Sequence, residues 1–366
     1  MPGQFDTVVQ LTLAGLVVAL VGGLAALVLY LFRQRRGSTI HVAPKQPAPD
    51  GITVVIVFAI FLLLPMTVRL LLTELGFFQF VYGQQFVGRL NEERSLILYY
   101  LWASLFALPL EVLLITAITH YRCNYHPLRL GQFSHNLLTG YWTWLLITPM
   151  AFLCYAIVSA LQVYLLGQEP EQHPLGILGE TAGRLEKLLI ILVAVVSAPI
   201  REELVFRGVL LPWLSATKQQ PANGPMNVEP EQRHLLTMLM AVMIAAMPHI
   251  HQLMEVVQIR LLILHSIPII FICSLLPLMF YLPNKAGLRR EFRLRSRMQV
   301  AALITSSALF AAFHASVWPT PVPLFVLSIA LAYLATRTRS LVGPILVHSM
   351  FNAVSTIYLF LGTNAR

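Results

Sequence analysis

Charged side chains are scarce in this chain. Asp, Glu, Lys and Arg together make up 11% of the 366 residues, whereas hydrophobic residues make up 57%. A soluble domain carries about 25% charged residues, and with far fewer it could not cover its surface with polar groups. The composition therefore excludes a soluble enzyme and predicts an integral membrane protein.

Cysteine is equally rare, with three residues at Cys123, Cys154 and Cys273. Their wide separation excludes a paired disulfide framework and a Cys-x-x-Cys metal site, so we interpret them as small buried apolar residues. The formal net charge is +9, but in a membrane protein the cations report orientation rather than nucleic-acid binding. We expect the lipid bilayer as a partner and no nucleic acid.

Long apolar runs are abundant. A helix needs about 20 apolar residues to cross a bilayer, and three shorter runs could cross if tilted. We predict an all-α, polytopic transmembrane helix bundle of about ten spans, with eight possible. The seven long runs are Val8–Phe32, Ile52–Leu72, Leu96–Ile118, Leu137–Leu166, Leu188–Leu214, Leu261–Leu282 and Leu341–Leu361, and the shorter ones are Leu235–His249, Met298–Ala315 and Pro323–Ala335.

The distribution of Lys and Arg favours the ten-span topology. With both chain ends outside, 16 of the 25 cations fall in inner loops, including six between Lys285 and Arg297, and six fall in outer segments. An excess of cations on the inner side is typical of membrane proteins. The run Val8–Phe32 is too long for a signal peptide and is followed by its arginines, so we expect it to remain as an anchor.

Four charged residues lie within the apolar run Leu188–Leu214, in the segment Ala198–Gly208, which reads APIREELVFRG. Ionisable side chains are costly within a membrane and mark functional sites. Glu203 and Arg207 are spaced i,i+4 and are predicted to pair along one helix face, while Glu202 points about 100° away, toward a different neighbour. One carboxylate would then be braced and the other available for proton transfer. Pro199 is expected to end or kink the preceding helix.

Another carboxylate, Glu111, lies in the middle of the Leu96–Ile118 run and has no partner nearby in the sequence. We expect a hydrogen bond between helices or a protonated carboxyl group there, in preference to catalysis. Arg207 is a candidate partner.

Two later runs carry further polar residues. Phe310 and His314 are spaced i,i+4 on one predicted helix, and His348 and Asn352 have the same spacing on another. At about 1.5 Å per residue from the nearest inner cations, His314, Asn352 and Glu202 fall at similar depths. The sequence therefore predicts one buried site assembled from three helices.

These motifs resemble those of the CPBP family of intramembrane endopeptidases, which contains the CAAX prenyl endopeptidases and the bacterial bacteriocin-processing and self-immunity proteins. Three motifs in order are much more specific than any one alone, and the similarity covers about half of the chain. The family pattern EExxxR, FxxxH and HxxxN or HxxxD is matched here by Glu202, Glu203 and Arg207, then Phe310 and His314, then His348 and Asn352.

The resemblance implies glutamate-dependent peptide hydrolysis with no cofactor and no metal. Glu202 with His314 would activate a water molecule, the last motif would stabilise the oxyanion, and the arginine would hold Glu203. The implied substrate is a membrane-associated or lipidated protein or peptide that enters from the membrane or the inner face. The implied location is the plasma membrane of a bacterium.

The expected domain organisation follows from the same motifs. Residues 1–36 would form an N-terminal transmembrane anchor, residues 37–187 a helical membrane region of unassigned role, and residues 188–361 the protease domain. Between Arg207 and His314 lie 106 residues, a long connection for the family. We therefore expect an inserted helix pair near residues 235–297.

Other functions could use the same residues. Two histidines and a glutamate would suit a catalytic Zn²⁺, although an HExxH motif is absent. A catalytically idle membrane scaffold or bacteriocin-immunity protein could keep the fold without turnover. A proton-coupled transporter could use the buried carboxylates, but the charges cluster in one half of the chain without a matching repeat.

Overall fold

The computed structural model describes residues 48–83, 92–167, 169–170, 174–179, 182–216, 237 and 290–363. These residues form helices and no strands, so the all-α prediction is confirmed for the described part of the chain. The predicted runs Val8–Phe32 and Leu261–Leu282 lie outside the described residues, as does Leu235–His249 apart from Thr237.

Five of the described helices are long and apolar enough to cross a membrane: α1, α3, α4, α8 and α9. The ten predicted spans are therefore not confirmed as a count. In chain order the helices are α1 (Gly51–Glu74), α2 (Phe77–Tyr82), α3 (Glu92–Cys123), α4 (Phe133–Leu166), α5 (Pro174–Gly179), α6 (residues 184–215), α7 (Arg290–Ala312), α8 (Pro321–Thr338) and α9 (Val342–Thr363).

Helix α7 corrects the predicted span Met298–Ala315 at both ends. It begins at Arg290, so several cations assigned to an inner loop belong to the helix itself, and it ends at Ala312. Its apolar part, Gln299–Ala312, is shorter than the roughly 20 residues that cross a bilayer without tilt. Counting charges along a sequence cannot separate a loop from the polar first turns of a helix.

Helix α6 carries the glutamate motif and continues past Pro199, so the alternative that this proline ends the helix is wrong. The chain widens instead: the backbone N–H of Ala198 donates to the carbonyl of Val193, five residues back. The consecutive segments of α6 are α-helical Arg184–Ile191, π-helical Leu192–Ser197, α-helical Ala198–Glu203, π-helical Leu204–Leu210 and α-helical Leu211–Ser215.

The wide turn before Pro199 leaves one carbonyl without a helical donor. In a π-helix the carbonyl of Ala194 would accept from residue 199, but proline has no N–H. The N–H of Ala198, the donor four residues on, bonds Val193 instead. The carbonyl of Ala194 therefore needs a partner from elsewhere in the protein, because an unpaired buried carbonyl costs free energy.

The chain divides into two compact units, which are described separately. Unit 1 comprises Met1–Leu146, Gln172–Val209 and Thr338–Arg366, and unit 2 comprises Ile147–Glu171 and Leu210–Arg337. The glutamate motif and the last motif thus belong to unit 1, and the FxxxH motif belongs to unit 2.

In unit 1, α1 and α3 pack side by side in opposite directions. Asp50 caps α1 by accepting from the backbone N–H of Thr53 at 2.6 Å, and Arg122 near the end of α3 lies 3.4 Å from the same carboxylate. Arg122 Nε also donates to the hydroxyl of Thr53 at 3.1 Å. These contacts fix the start of α1 beside the end of α3.

An apolar cluster joins α3, α5 and α6, with Phe360 of α9 packed against it. Lipid is as apolar as these side chains, so close packing rather than the hydrophobic effect favours their association within a bilayer. Elsewhere on α1 and α3 large apolar side chains such as Leu63 and Leu113 are exposed, as a lipid-facing surface requires. The buried members of the cluster are Leu98, Leu101, Leu178, Leu189, Ile190 and Val193.

The connection between α3 and α4 contacts both motif-bearing helices of unit 1. The hydroxyl of Tyr125 donates to the carbonyl of Gly208 on α6 at 2.8 Å. The backbone N–H of Leu341, at the start of α9, donates to the carbonyl of Arg129 at 3.0 Å. This loop therefore holds one point on each of the helices that carry the glutamate motif and the last motif.

Gly208, which follows the arginine of the first motif, is a point of close approach. A Cβ atom at this position would lie 3.3 Å from the Cβ of Pro127 and 3.4 Å from the Cδ1 of Leu341. A larger side chain would have to displace the loop or the start of α9 by a few tenths of an ångström. Glycine at this position lets three segments of unit 1 meet.

We predict that Tyr125 makes the folding stability of the protein decrease as the pH rises through the alkaline range. Burial raises the pKa of Tyr125, which lies beyond the end of α3, to about 12, whereas an unfolded tyrosine titrates near pH 10. The neutral hydroxyl therefore contributes stability in full below about pH 10, and that contribution is lost between about pH 10 and 12, by up to about 1.4 kcal/mol per pH unit. In detergent, the melting temperature of the wild type should fall more steeply over this interval than that of Tyr125→Phe.

Tyr121→Phe is the matched control, because Tyr121 is exposed on the preceding turn. This variant should keep the wild-type slope. Parallel slopes for the wild type and Tyr125→Phe would contradict the prediction.

Candidate active site

Glu203 is the centre of a buried polar cluster in unit 1. Its Oε1 accepts a hydrogen bond from Arg207 Nη1 at 2.9 Å, and Nδ1 of His348 lies 2.9 Å from the same oxygen. All three side chains are buried. The predicted i,i+4 pair of Glu203 and Arg207 is confirmed, and the pair also binds the histidine of α9.

The contact with Glu203 sets the protonation pattern of His348. An ionised carboxylate can only accept a hydrogen bond, so the proton of a neutral ring lies on Nδ1 and the lone pair on Nε2. Nε2 can then accept a proton, and it donates a hydrogen bond only when both ring nitrogens are protonated. A carboxylate that orients a histidine in this way is a recurrent part of hydrolytic sites.

Glu202 lies on the other side of the same ring. Its Oε2 is 3.7 Å from His348 Nε2, too long for a hydrogen bond but close enough for an electrostatic interaction with a protonated ring. Among the described residues this oxygen has no hydrogen-bond partner. The side chain of Glu202 is 17% exposed and that of Glu203 is fully buried, so Glu202 is the more accessible of the two although its Oε2 is itself buried.

The expectation that the two glutamates face different neighbours is wrong. An imidazole ring has nitrogens on two of its edges, and the ring of His348 lies between both carboxylates. The two glutamates differ in two respects: Glu203 forms a 2.9 Å ion pair with Arg207, and the side chain of Glu202 is the more exposed.

Asn352 supplies the donor that the widened part of α6 lacks. Its Nδ2 donates to the carbonyl of Ala194 at 2.8 Å, the carbonyl that loses its helical partner at Pro199. His348 and Asn352, one turn apart on α9, thus bind α6 at two points, the first at the glutamates and the second at the wide turn. Their role as oxyanion donors stays a prediction.

His314 belongs to unit 2 and lies in the turn after α7, not on the helix as predicted. Its backbone N–H donates to the carbonyl of Ala311 at 3.0 Å, and its Nδ1 lies 3.0 Å from the carbonyl of Phe310. The two rings of the FxxxH motif are 5.0 Å apart between centroids. Since a carbonyl only accepts, Nδ1 carries the proton and Nε2 of the neutral ring has the lone pair. The pairing of His314 with Glu202 stays a prediction.

A second buried ion pair lies behind the glutamates, between Arg201 and Glu111 of α3. The suggested pairing of Glu111 with Arg207 is therefore wrong, because Glu203 on the same helix already holds Arg207. Our sequence reasoning assigned no role to Arg201. The sequence did contain a usable signal. Ser197 and Arg201 are spaced i,i+4 and therefore lie on one face of the helix. Polar side chains on one face of a membrane helix need a polar partner on another helix.

Within the described ranges, no group of three or more His, Cys, Asp and Glu side chains is arranged to hold a metal ion. The chemistry that the described geometry supports is proton transfer by a carboxylate beside an oriented histidine.

Comparison with known proteins gives one match. The family model described as type II CAAX prenyl endopeptidase Rce1-like matches residues 184–286 and 286–354. No curated protein and no solved structure matches the chain significantly.

The matched segment begins where α6 begins and includes all three motifs, so the resemblance to the CPBP intramembrane proteases is confirmed. Endopeptidases are hydrolases that cut peptide bonds inside a chain, and the five apolar helices make this chain an integral membrane protein. Residues 184–354, just under half of the chain, are thus similar to the Rce1-like family of type II CAAX prenyl endopeptidases.

Proposed function

We propose that this protein hydrolyses peptide bonds of membrane-associated or lipidated proteins inside the membrane, by means of a glutamate-activated water. The observation that carries the proposal is the 3.7 Å approach of the Glu202 carboxylate to His348 Nε2, with Nδ1 of that ring held by the braced Glu203. A carboxylate without a hydrogen-bond partner on one oxygen, beside an oriented histidine, supports a role in water activation. The family match supports the hydrolase class.

In the proposed mechanism Glu202 takes a proton from water while the oxygen attacks the scissile carbonyl carbon. The carbonyl oxygen becomes an oxyanion in a tetrahedral intermediate. Glu202 then returns the proton to the leaving nitrogen as the carbon–nitrogen bond breaks. We propose that His314 orients the water through Nε2, which its contact with Phe310 leaves as the acceptor.

The last motif would stabilise the oxyanion. An asparagine amide carries two N–H groups, of which Ala194 takes one; the other is the proposed donor. His348 would add a second donor when both its nitrogens are protonated. Donors held in place before the reaction stabilise developing charge without reorganisation, and the contacts of α9 with α6 hold these two.

The proposed substrates enter from the membrane or the inner face, and a lipidated carboxy-terminal segment is the class that the family name suggests. We propose the plasma membrane of a bacterium as its location. Neither the inserted helix pair near residues 235–297 nor the N-terminal anchor at residues 1–36 lies within the described ranges, and both stay predictions.

We predict that Glu202→Gln and His314→Ala each reduce cleavage by a factor of about 10²–10⁴, the usual contribution of general acid–base catalysis. Cleavage is measured in liposomes on a panel of C-terminal and transmembrane peptides, each with and without a lipid group. The matched controls are Glu74→Gln at the exposed end of α1 and His135→Ala at the exposed start of α4. Substantial turnover by purified, folded Glu202→Gln would remove Glu202 as the base.

We predict that EDTA or phenanthroline leaves cleavage unchanged, because side chains alone supply the proposed base and donors. The alternative is a Zn²⁺ ion held by the same glutamate and histidines. Loss of activity in chelator, with recovery on addition of Zn²⁺, would replace the proposed mechanism by a zinc-dependent one.

We predict that Asn352→Ala lowers kcat by a factor of about 10²–10³, the usual cost of one oxyanion donor, with KM little changed. It should also lower the free energy of unfolding by about 1–3 kcal/mol, because the carbonyl of Ala194 loses its partner. Asn136→Ala is the matched control: this buried amide also donates to a backbone carbonyl, that of Leu130 at 3.0 Å, so it should destabilise the protein and keep kcat. A large rise in KM with unchanged kcat for Asn352→Ala would refute the oxyanion role.

A further inference from the structure

We infer that Arg201 is a positioning residue for the proposed reaction, because its ion pair with Glu111 fixes the rotation of α6 about its axis. That rotation sets where the carboxylates of Glu202 and Glu203 lie relative to His348. The inference rests on the proposed function and adds to it a role for α3, which lies before the family-matched segment.

The guanidinium of Arg201 is bound by groups from two other helices. Its Nε and Nη2 bind the two carboxylate oxygens of Glu111, the latter at 2.9 Å, and its Nη1 donates to the hydroxyl of Ser104 at 2.9 Å. Nη2 also donates to the carbonyl of Phe61 on α1 at 3.3 Å, and the Phe61 ring lies 5.2 Å away. All three nitrogens are engaged, which leaves this side chain little freedom.

A second contact on the same face fixes the same rotation. The hydroxyl of Ser197, one turn before Arg201, donates to the carbonyl of Ser104 at 3.3 Å. Two residues one turn apart on α6 therefore bind two residues of α3, Ser104 and Glu111, that are about two turns apart. Glu202 and Glu203, which meet His348, follow Arg201 at about 100° and about 200° around the helix axis.

The backbone of α6 is irregular around Arg201, so a contact that fixes the rotation of the helix matters at this point. The α-helical segment Ala198–Glu203 has six residues and lies between two π-helical segments, whose wider turns alter the angular spacing of side chains. With side chains a helix has a radius of about 5–6 Å, so a rotation of about 10° moves a carboxylate by about 1 Å. A displacement of that size costs about 10²-fold in rate.

Stability alone does not explain the pair. Replacing a buried ion pair by apolar side chains of similar volume is often neutral or stabilising, whereas removing one partner is strongly destabilising. A bidentate ion pair fixes the relative orientation of its two side chains, whereas apolar packing does not. Removing both charges together therefore separates positioning from stability.

The test is the double variant Glu111→Leu with Arg201→Met in the liposome cleavage assay. We expect kcat to fall by about 10²-fold, as for a displacement of about 1 Å, with KM and the melting temperature close to wild type. Arg201→Lys, which keeps the charge but not the bidentate geometry, should give an intermediate kcat. The matched control is Asp50→Leu with Arg122→Met, which removes the partly exposed ion pair between α1 and α3 and should keep the wild-type kcat.

The outcomes are distinguishable. A double variant with the wild-type kcat would overturn this inference and leave the proposed function intact. A fall in cleavage caused by a raised KM would also overturn it, because misplaced carboxylates slow the chemical step rather than weaken binding. If the wild type cleaves no peptide of the panel, the proposed function fails, and the inference fails with it.

Discussion

Pairing of buried charge is the constraint on which this structure depends. Helix α6 carries four ionisable side chains within seven residues, and charges in an apolar surrounding are costly unless partners compensate them. Arg201 is compensated by Glu111 of α3, and Arg207 by Glu203 on α6 itself. The neighbours of α6 are therefore those that supply compensating groups. One oxygen of Glu202 lies 3.7 Å from His348 Nε2 and has no hydrogen-bond partner among the described residues.

Two kinds of polar contact hold α6, and they differ in how far the sequence predicts them. The pair of Glu203 and Arg207 is local, so the i,i+4 spacing alone predicts it. The pair of Arg201 and Glu111 joins positions 90 residues apart. Periodicity identifies the face of a helix but not the helix that packs against it, and for this reason the sequence suggested Arg207 as the partner of Glu111.

The backbone of α6 was the harder part to predict. A proline in an apolar run indicates a kink or an end, and nothing in the pattern distinguishes this from a widened turn that continues the helix. The widened turn leaves the backbone carbonyl of Ala194 without a helical donor, and the side-chain amide of Asn352 supplies that donor. Similarly, the spacing of Phe310 and His314 predicted a shared helix, whereas the chain leaves the helix at Ala312 and keeps the contact between the two residues. The sequence pattern supplies the seven motif residues, but it did not predict their partners outside the motifs.

The loop between α3 and α4 has a consequence for where the enzyme begins. The segment that carries the family signature starts at residue 184, yet Tyr125, which binds Gly208, and Glu111, which compensates Arg201, both precede it. A fragment cut at that boundary would hold a buried cation without its counter-ion and a carbonyl without its donor. In physical terms the smallest unit that can fold around the glutamates reaches back at least to α3, so the family signature marks where the motifs lie rather than where the folded enzyme starts.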